Sequence, residues 1–219
     1  MATQLYHVFR TSILKHKTQS ETPLKISLRT PRVQEINASL SKSSGRKLLE
    51  SGQVSAIGSK FAYKAITSDG YILLDVRPPW ERERARVVGS LHVPIFVEDK
   101  DNNPLTLLKK WVHFGYIGLW TGQYFTTENS EFLGQVENAI PHKDTKLLVA
   151  CGEGSRSMTA VSKLYNGGYR NLAWLVSGFN SAKDNDFPTV EGKEKLNHAT
   201  AGGVSYLFLQ LFIFLNMKV

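Results

Sequence analysis

The sequence predicts an α/β domain with a five-stranded, mostly parallel sheet covered by helices on both faces. Three observations carry this. Short apolar runs alternate with helically spaced segments, as crossover connections require. Two of the runs, Tyr71–Asp75 and Lys146–Ala150, are apolar without alternation, as strands buried on both faces tend to be. Of the 219 residues, 42% are hydrophobic and 21% charged, a globular composition able to bury a core.

The elements follow in order. Val54–Ile57 reads as the first strand, and Ser59–Ile66 as a helix with Phe61, Ala62, Ala65 and Ile66 at helical spacing. Ser68-Asp69-Gly70 is a turn signal before the strand Tyr71–Asp75. Pro78 and Pro79 open a short charged helix from Trp80, since proline is tolerated in a first helical turn. Gly89–Pro94 is a brief strand closed by proline. After the strand Lys146–Ala150, Arg156–Tyr165 is a helix with Met158, Val161, Leu164 and Tyr165 on one face. Gly167-Gly168 stands where its C-terminus is expected, and Asn171–Val176 is the last strand. The domain is placed at residues 48–190, with an insertion at 98–133. That connection holds Trp111, Phe114, Tyr116, Trp120, Tyr124 and Phe125. It is expected to pack as a helix from Leu105 to Phe114 plus a lid-like loop, its aromatics serving as local core; the alternative is a partner or substrate surface.

Both ends differ from this body. Residues 1–47 hold nine Lys/Arg, two acidic residues and twelve Ser/Thr, a balance of +7 within a total of +8. The body is thus nearly neutral, which removes the basic face that nucleic-acid binding needs. A basic, hydroxyl-rich, acid-poor leader reads as an organellar transit peptide, with a flexible basic tail as the alternative. At the other end, Ala199–Met217 is an uncharged stretch of 19 residues. The segment 199–217 is expected to be a marginal membrane segment, or else a buried terminal helix or a hydrophobic contact with a partner.

The single cysteine excludes an internal disulfide framework and a multi-cysteine zinc site. The six histidines lack ligand spacing, and no Walker loop or dinucleotide fingerprint occurs, so neither metal nor cofactor is expected. Cys151 ends an apolar strand and begins Cys-Gly-Glu-Gly-Ser-Arg-Ser157, which runs directly into a helix. Ligands of open parallel sheets bind beyond the carboxyl ends of the strands. Gly152 and Gly154 permit a tight curl that turns backbone N–H groups toward one point. A sulfur at that point, beside the helix N-terminus, is stabilised as thiolate. Arg156 adds a cation suited to an oxyanion. Ser155 or Ser157 is expected to cap the helix, and Glu153 brings one negative charge near the sulfur. The bland alternative is a small buried hydrophobe, the usual fate of a free cysteine. Four residues separate Cys151 from Arg156. Cysteine phosphatases use five, for a wider loop around a tetrahedral phosphate.

Cys-x-x-x-x-Arg between strand and helix resembles the active-site loop of rhodanese-type sulfurtransferases. Leu74-Asp-Val-Arg77 with Trp80-Glu81 and Val87–Pro94 resembles the first signature of that family, and Leu175-Val-Ser-Gly-Phe179 its closing segment. With leader and tail, the chain resembles the plant chloroplast rhodanese-like proteins, some of them thylakoid-associated. Two framework positions depart: Ala85-Arg86 stands where Gly-His is usual, and Ser177-Gly178 where a glycine pair is usual. Local repacking is expected there. The resemblance implies a rhodanese-like fold and transfer of a sulfane sulfur from a donor such as thiosulfate to a thiophilic acceptor. The carrier would be a Cys151 persulfide, with amides from Gly152 to Ser157 stabilising it and Arg156 holding the donor. It further implies that Asp75 and Arg77 support the loop and that Arg77 pairs with Glu81. The competing reading is a non-catalytic docking module at a chloroplast membrane, with residues 98–133 as the protein interface.

Overall fold

The computed structural model describes residues 44–216. The expected leader therefore lies almost wholly outside the described residues, as does the end of the expected membrane segment. Helix α1, residues 44–50, runs across the boundary placed at 47/48. Leu48 and Leu49 of this helix pack on the core.

Five strands form the central sheet: β1 (Ser55–Ile57), β2 (Ile72–Asp75), β4 (Leu91–His92), β7 (Leu147–Ala150) and β8 (Leu172–Leu175), in the order β1-β8-β7-β2-β4. All pairings within it are parallel. Every strand of this sheet is one that the apolar runs predict. Side chains alternate between its two faces. Leu74, Val149 and Leu172 face α6 (Phe132–Ala139) and α7 (Ser155–Asn166), against Phe132, Val136, Val161 and Leu164. Leu73, Leu148 and Ala173 face the other side, against Ala62 and Ala65 of α2 (Ala62–Thr67) and Phe179, Leu196 and Ala199. Burying each such Leu, Val or Phe contributes about 1.5–3 kcal/mol relative to exposure.

Two small antiparallel pairs lie outside that sheet. β3 (Ala85–Val87) pairs with β9 (Val190–Gly192), and β5 (Phe96–Glu98) with β6 (Thr126–Glu128). β9 carries the body past residue 190, and the buried Leu196 and Ala199 carry it to the start of the C-terminal helix.

The long connection is mostly helical. α4 (Pro104–His113) is capped by Asn103, whose Oδ1 accepts from the N–H groups of Leu105 and Thr106. It passes through a π-helical turn, Phe114–Gly118, into α5 (Leu119–Thr121). Gly122 ends the run at φ +68°, a left-handed conformation that glycine adopts without penalty. The expectation that its aromatics form local core is not met: Trp111 is 75% and Tyr116 82% exposed. At the far end Tyr124 touches the Trp80 ring while staying half exposed, and Phe125 lies edge-on to His113. The C-terminal helix α8 (Gly203–Asn216) packs on α5. Its 14 residues give about 21 Å, short of the ~30 Å bilayer core. Among the described residues no helix is long and apolar enough to cross a membrane.

At the departure Ser177-Gly178 the chain turns, with Gly178 N–H donating to the Leu175 carbonyl at 3.1 Å. Both residues sit at left-handed φ, +58° and +59°. Gly178 must, because a Cβ there would lie 2.3 Å from the Cys151 carbonyl oxygen. Ser177 is exposed and bears the strain alone. A non-glycine residue pays about 1–2 kcal/mol there, partly offset by the freedom glycine loses on folding. Ser177→Gly is therefore expected to raise stability by about 0.5–1 kcal/mol, read as a higher denaturation midpoint at unchanged m-value.

Candidate active site

Cys151 follows the last residue of the central strand β7, and α7 begins four residues later. The intervening loop curls because Gly154 takes φ +92°; a Cβ there would meet the Trp174 ring at 2.9 Å. The curl aims two amides at the sulfur. Gly154 N–H donates to Cys151 Sγ at 3.1 Å and Ser157 N–H at 3.3 Å. Ser157 Oγ lies 3.4 Å from the sulfur. The helix start leaves the N–H groups of Ser155 and Arg156 without an intrahelical acceptor. The expectation that Ser155 or Ser157 caps α7 is corrected: the N-cap is Gly154, with no side-chain cap. Ser157 Oγ instead donates to the Gly154 carbonyl at 3.0 Å and accepts from Trp174 Nε1 at 3.1 Å. Those bonds brace the curl from inside.

The floor comes from the closing segment. Phe179 N–H donates to the Cys151 carbonyl and Asn180 N–H to the Gly152 carbonyl, both at 2.8 Å. The sequence does not single out Trp174 or Asn180, which bond to the loop. The Gly178-Phe179 signature was the one local signal near them.

Two ion pairs frame the loop, and their partners differ from expectation. Arg77 does not pair with Glu81. It folds back on Asp75, donating through Nε at 3.0 Å and Nη2 at 2.7 Å to the two carboxylate oxygens, with both side chains fully buried. Its Nη2 also reaches the Ala85 carbonyl, and the guanidinium stacks 4.4 Å over the Phe179 ring. Glu81 instead holds Arg156 in a bidentate pair, 2.7 Å at each oxygen. The reason is the turn at Pro78-Pro79. Pro79 opens α3 (Pro79–Arg82), which carries Glu81 away from Arg77 and beneath the Cys151 loop. Burial works against the Arg156 charge, but the Glu81 hydrogen bonds and carboxylate charge outweigh it, with a smaller contribution from Cys151. The guanidinium pKa lies above its ordinary value. Beside the Asp75 pair, burial lowers the His92 pKa; its Nε2 meets the Arg77 carbonyl at 2.8 Å, so the neutral ring donates there.

Cys151 itself is fully buried. A cleft of about 560 Å³ lies outside the loop, lined by Glu153, Ser155 and Arg156. Its opposite walls are Gln123 and Tyr124 from the long connection and Asn180 and Thr200. The Thr200 side chain sits against Gly152, where a Cβ would lie 2.5 Å from its Oγ1. Gln123 Nε2 donates to the Thr200 carbonyl and Thr200 Oγ1 to Asn180 Oδ1. Glu153 is exposed and lines the cleft. The site thus combines a sheltered sulfur held by two amides, a charge-compensated arginine and an adjoining cleft. Such an arrangement can hold an anionic or persulfidic sulfur and admit a second molecule beside it.

A parallel five-stranded α/β sheet with a cysteine–arginine loop beyond its central strand defines a rhodanese-like domain. The family model for that domain matches residues 60–185, and the chain belongs to this family. It is 51% identical over 212 residues to Rhodanese-like domain-containing protein 10 of Arabidopsis thaliana, covering 97% of this chain and 94% of that protein. To Rhodanese-like domain-containing protein 11, chloroplastic, of the same plant it is 43% identical over 158 residues, 72% of this chain and 53% of that protein. To the same plant's Thiosulfate sulfurtransferase 16, chloroplastic, it is 26% identical over 120 residues, 55% of this chain and 80% of that protein.

Proposed function

We propose that this chain is a sulfurtransferase that carries a sulfane sulfur on Cys151. The observation that carries the reading is the pair of amides, Gly154 and Ser157, directed at one sulfur atom in a four-residue loop closed by Arg156. The Cys151 thiolate attacks the outer sulfur of a donor such as thiosulfate. A new S–S bond forms, and sulfite leaves with the electron pair of the bond that breaks. A thiolate or other nucleophile then takes the outer sulfur, and the Cys151 thiolate is regenerated. Splitting the transfer in two is covalent catalysis. The Gly154 and Ser157 amides stabilise the anionic sulfur, and the free N–H groups of Ser155 and Arg156 offer donors to the outer one. Gly152 lets the loop pass close under Thr200, where a Cβ would lie 2.5 Å from the hydroxyl oxygen. Arg156 holds the anionic part of the donor, with Glu81 fixing its fork. Asp75 and Arg77 hold the end of β2 beside the loop.

Treatment of the full chain with thiosulfate, followed by mass spectrometry, should show one added sulfur on the peptide containing Cys151. Absence of that adduct under conditions where a control sulfurtransferase is loaded refutes the proposal.

Glu153 carries a related expectation. An exposed carboxylate on the cleft wall repels an anionic donor, so Glu153→Ala should raise kcat/KM for thiosulfate about two- to fivefold at low salt. An unchanged or lower value would mean its charge does not act on the donor.

A second reading, a docking module without turnover, is favoured by the full burial of Cys151 and by the exposed helix after Asn103. It requires that Cys151 resist alkylation in the folded chain, whereas the sulfurtransferase reading requires reaction near neutral pH. The acid-poor leader and the chloroplastic names of two relatives support a chloroplast location. Import of the full chain into isolated chloroplasts, with shortening of the product, tests it.

A further inference from the structure

Most of the exposed large apolar side chains among the described residues lie on two pieces: the helical run from Pro104 to Thr121 and α8. An apolar surface this extensive marks a contact. Three features bear on what covers it. First, α8 exposes Leu207, Phe208, Leu211 and Phe212, and it carries no charged residue on any face. Second, neither piece contains an acidic residue, while the run carries Lys109; Lys110 is turned to the Asp101 carbonyl and the Asp99 carboxylate. Third, Trp111, Tyr116 and Trp120 are more than half exposed, and such rings favour the boundary between hydrocarbon and headgroups. The two pieces are joined. A Cβ on Gly122 would lie 2.6 Å from Gly203 N, and one on Gly202 would lie 2.6 Å from the Thr121 carbonyl oxygen.

We infer that the Pro104–Thr121 run and α8 together form a docking element for the surface of an anionic lipid bilayer. The 14 described residues of α8 are too few to span, and α8 lies in the boundary layer with its apolar side chains immersed. Lys109 faces the anionic headgroups. Thr121 ends the first piece, Gln123 and Tyr124 follow it, and Thr200, Ala201 and Ser205 flank the start of the second. All six line the cleft beside the Cys151 loop, so docking sets its mouth at the membrane surface. The inference does not depend on sulfur transfer, because it concerns binding alone.

The full chain should co-sediment with vesicles of phosphatidylglycerol and phosphatidylcholine, and its tryptophan emission should shift to shorter wavelength. Trp111→Glu with Trp120→Glu should lower partition about tenfold or more, as should Phe208→Glu with Phe212→Glu in a second variant. Because these side chains are exposed, both variants should keep the wild-type circular dichroism. Lys109→Glu should weaken binding to phosphatidylglycerol vesicles more than to pure phosphatidylcholine vesicles. Three results would overturn the inference. One is failure to bind vesicles. Another is binding that the four apolar substitutions leave unchanged, which would assign it to the basic leader. The third is a stable dimer in solution that the same substitutions dissociate, which would assign the surface to a second copy of the chain.

Discussion

Cys151→Ser should lower sulfur transfer from thiosulfate to cyanide by at least about a thousandfold, because the group that carries the sulfur is then gone. The side chain lies in a fully buried position between two amide donors. A serine oxygen there accepts the same hydrogen bonds, so the fold should persist with unchanged circular dichroism and a similar Tm. Loss of activity with retained fold is what sulfur carriage requires. Turnover within a fewfold of the wild type would move the chemistry away from this loop altogether. No other cysteine exists in the chain to substitute for it.

Asp75→Asn should give the largest loss of stability. The Asp75 carboxylate accepts from the Arg77 backbone N–H, Nε and Nη2, and from Arg82 Nη1. With Asp75 and Arg77 both fully buried, water cannot take over when the carboxylate charge is removed. Breaking a buried pair and leaving one charge uncompensated costs about 3–5 kcal/mol. For a domain of this size that is a fall in Tm of roughly 10 °C. Sulfur loading at low temperature, where the variant is folded, should persist, since Asp75 makes no bond to the sulfur. A Tm within a degree or two of the wild type would mean that the Phe179 stacking and the Ala85 carbonyl suffice to hold the guanidinium.

The elements that could be read without coordinates share a physical property: their signals fall within a few residues. The central strands are continuous apolar runs, and turn residues punctuate them. The Cys151 loop is equally local, since the glycine at 154 and the helix start create the curl that turns amides to the sulfur. Gly122 and Asn103, which bound the long helical run, are cap residues of ordinary type.

What folding in three dimensions decided concerns partners chosen at a distance. Glu81 and Arg156 are 75 residues apart, and either arginine suited Glu81 by chemistry; the direction of α3 after Pro79 settled the choice. The pairs β3–β9 and β5–β6 involve three-residue strands whose registers exist only once the central sheet places them. Thr200 lies against Gly152 because α8 packs on α5, and nothing near either residue announces it. The aromatics of the long connection look alike whether they line a core or face outward. Hydrophobicity states only that they avoid water, and the packing geometry left them on the surface. Local backbone chemistry thus set the sulfur's cradle, while long-range packing set which charges frame it and what stands at its door.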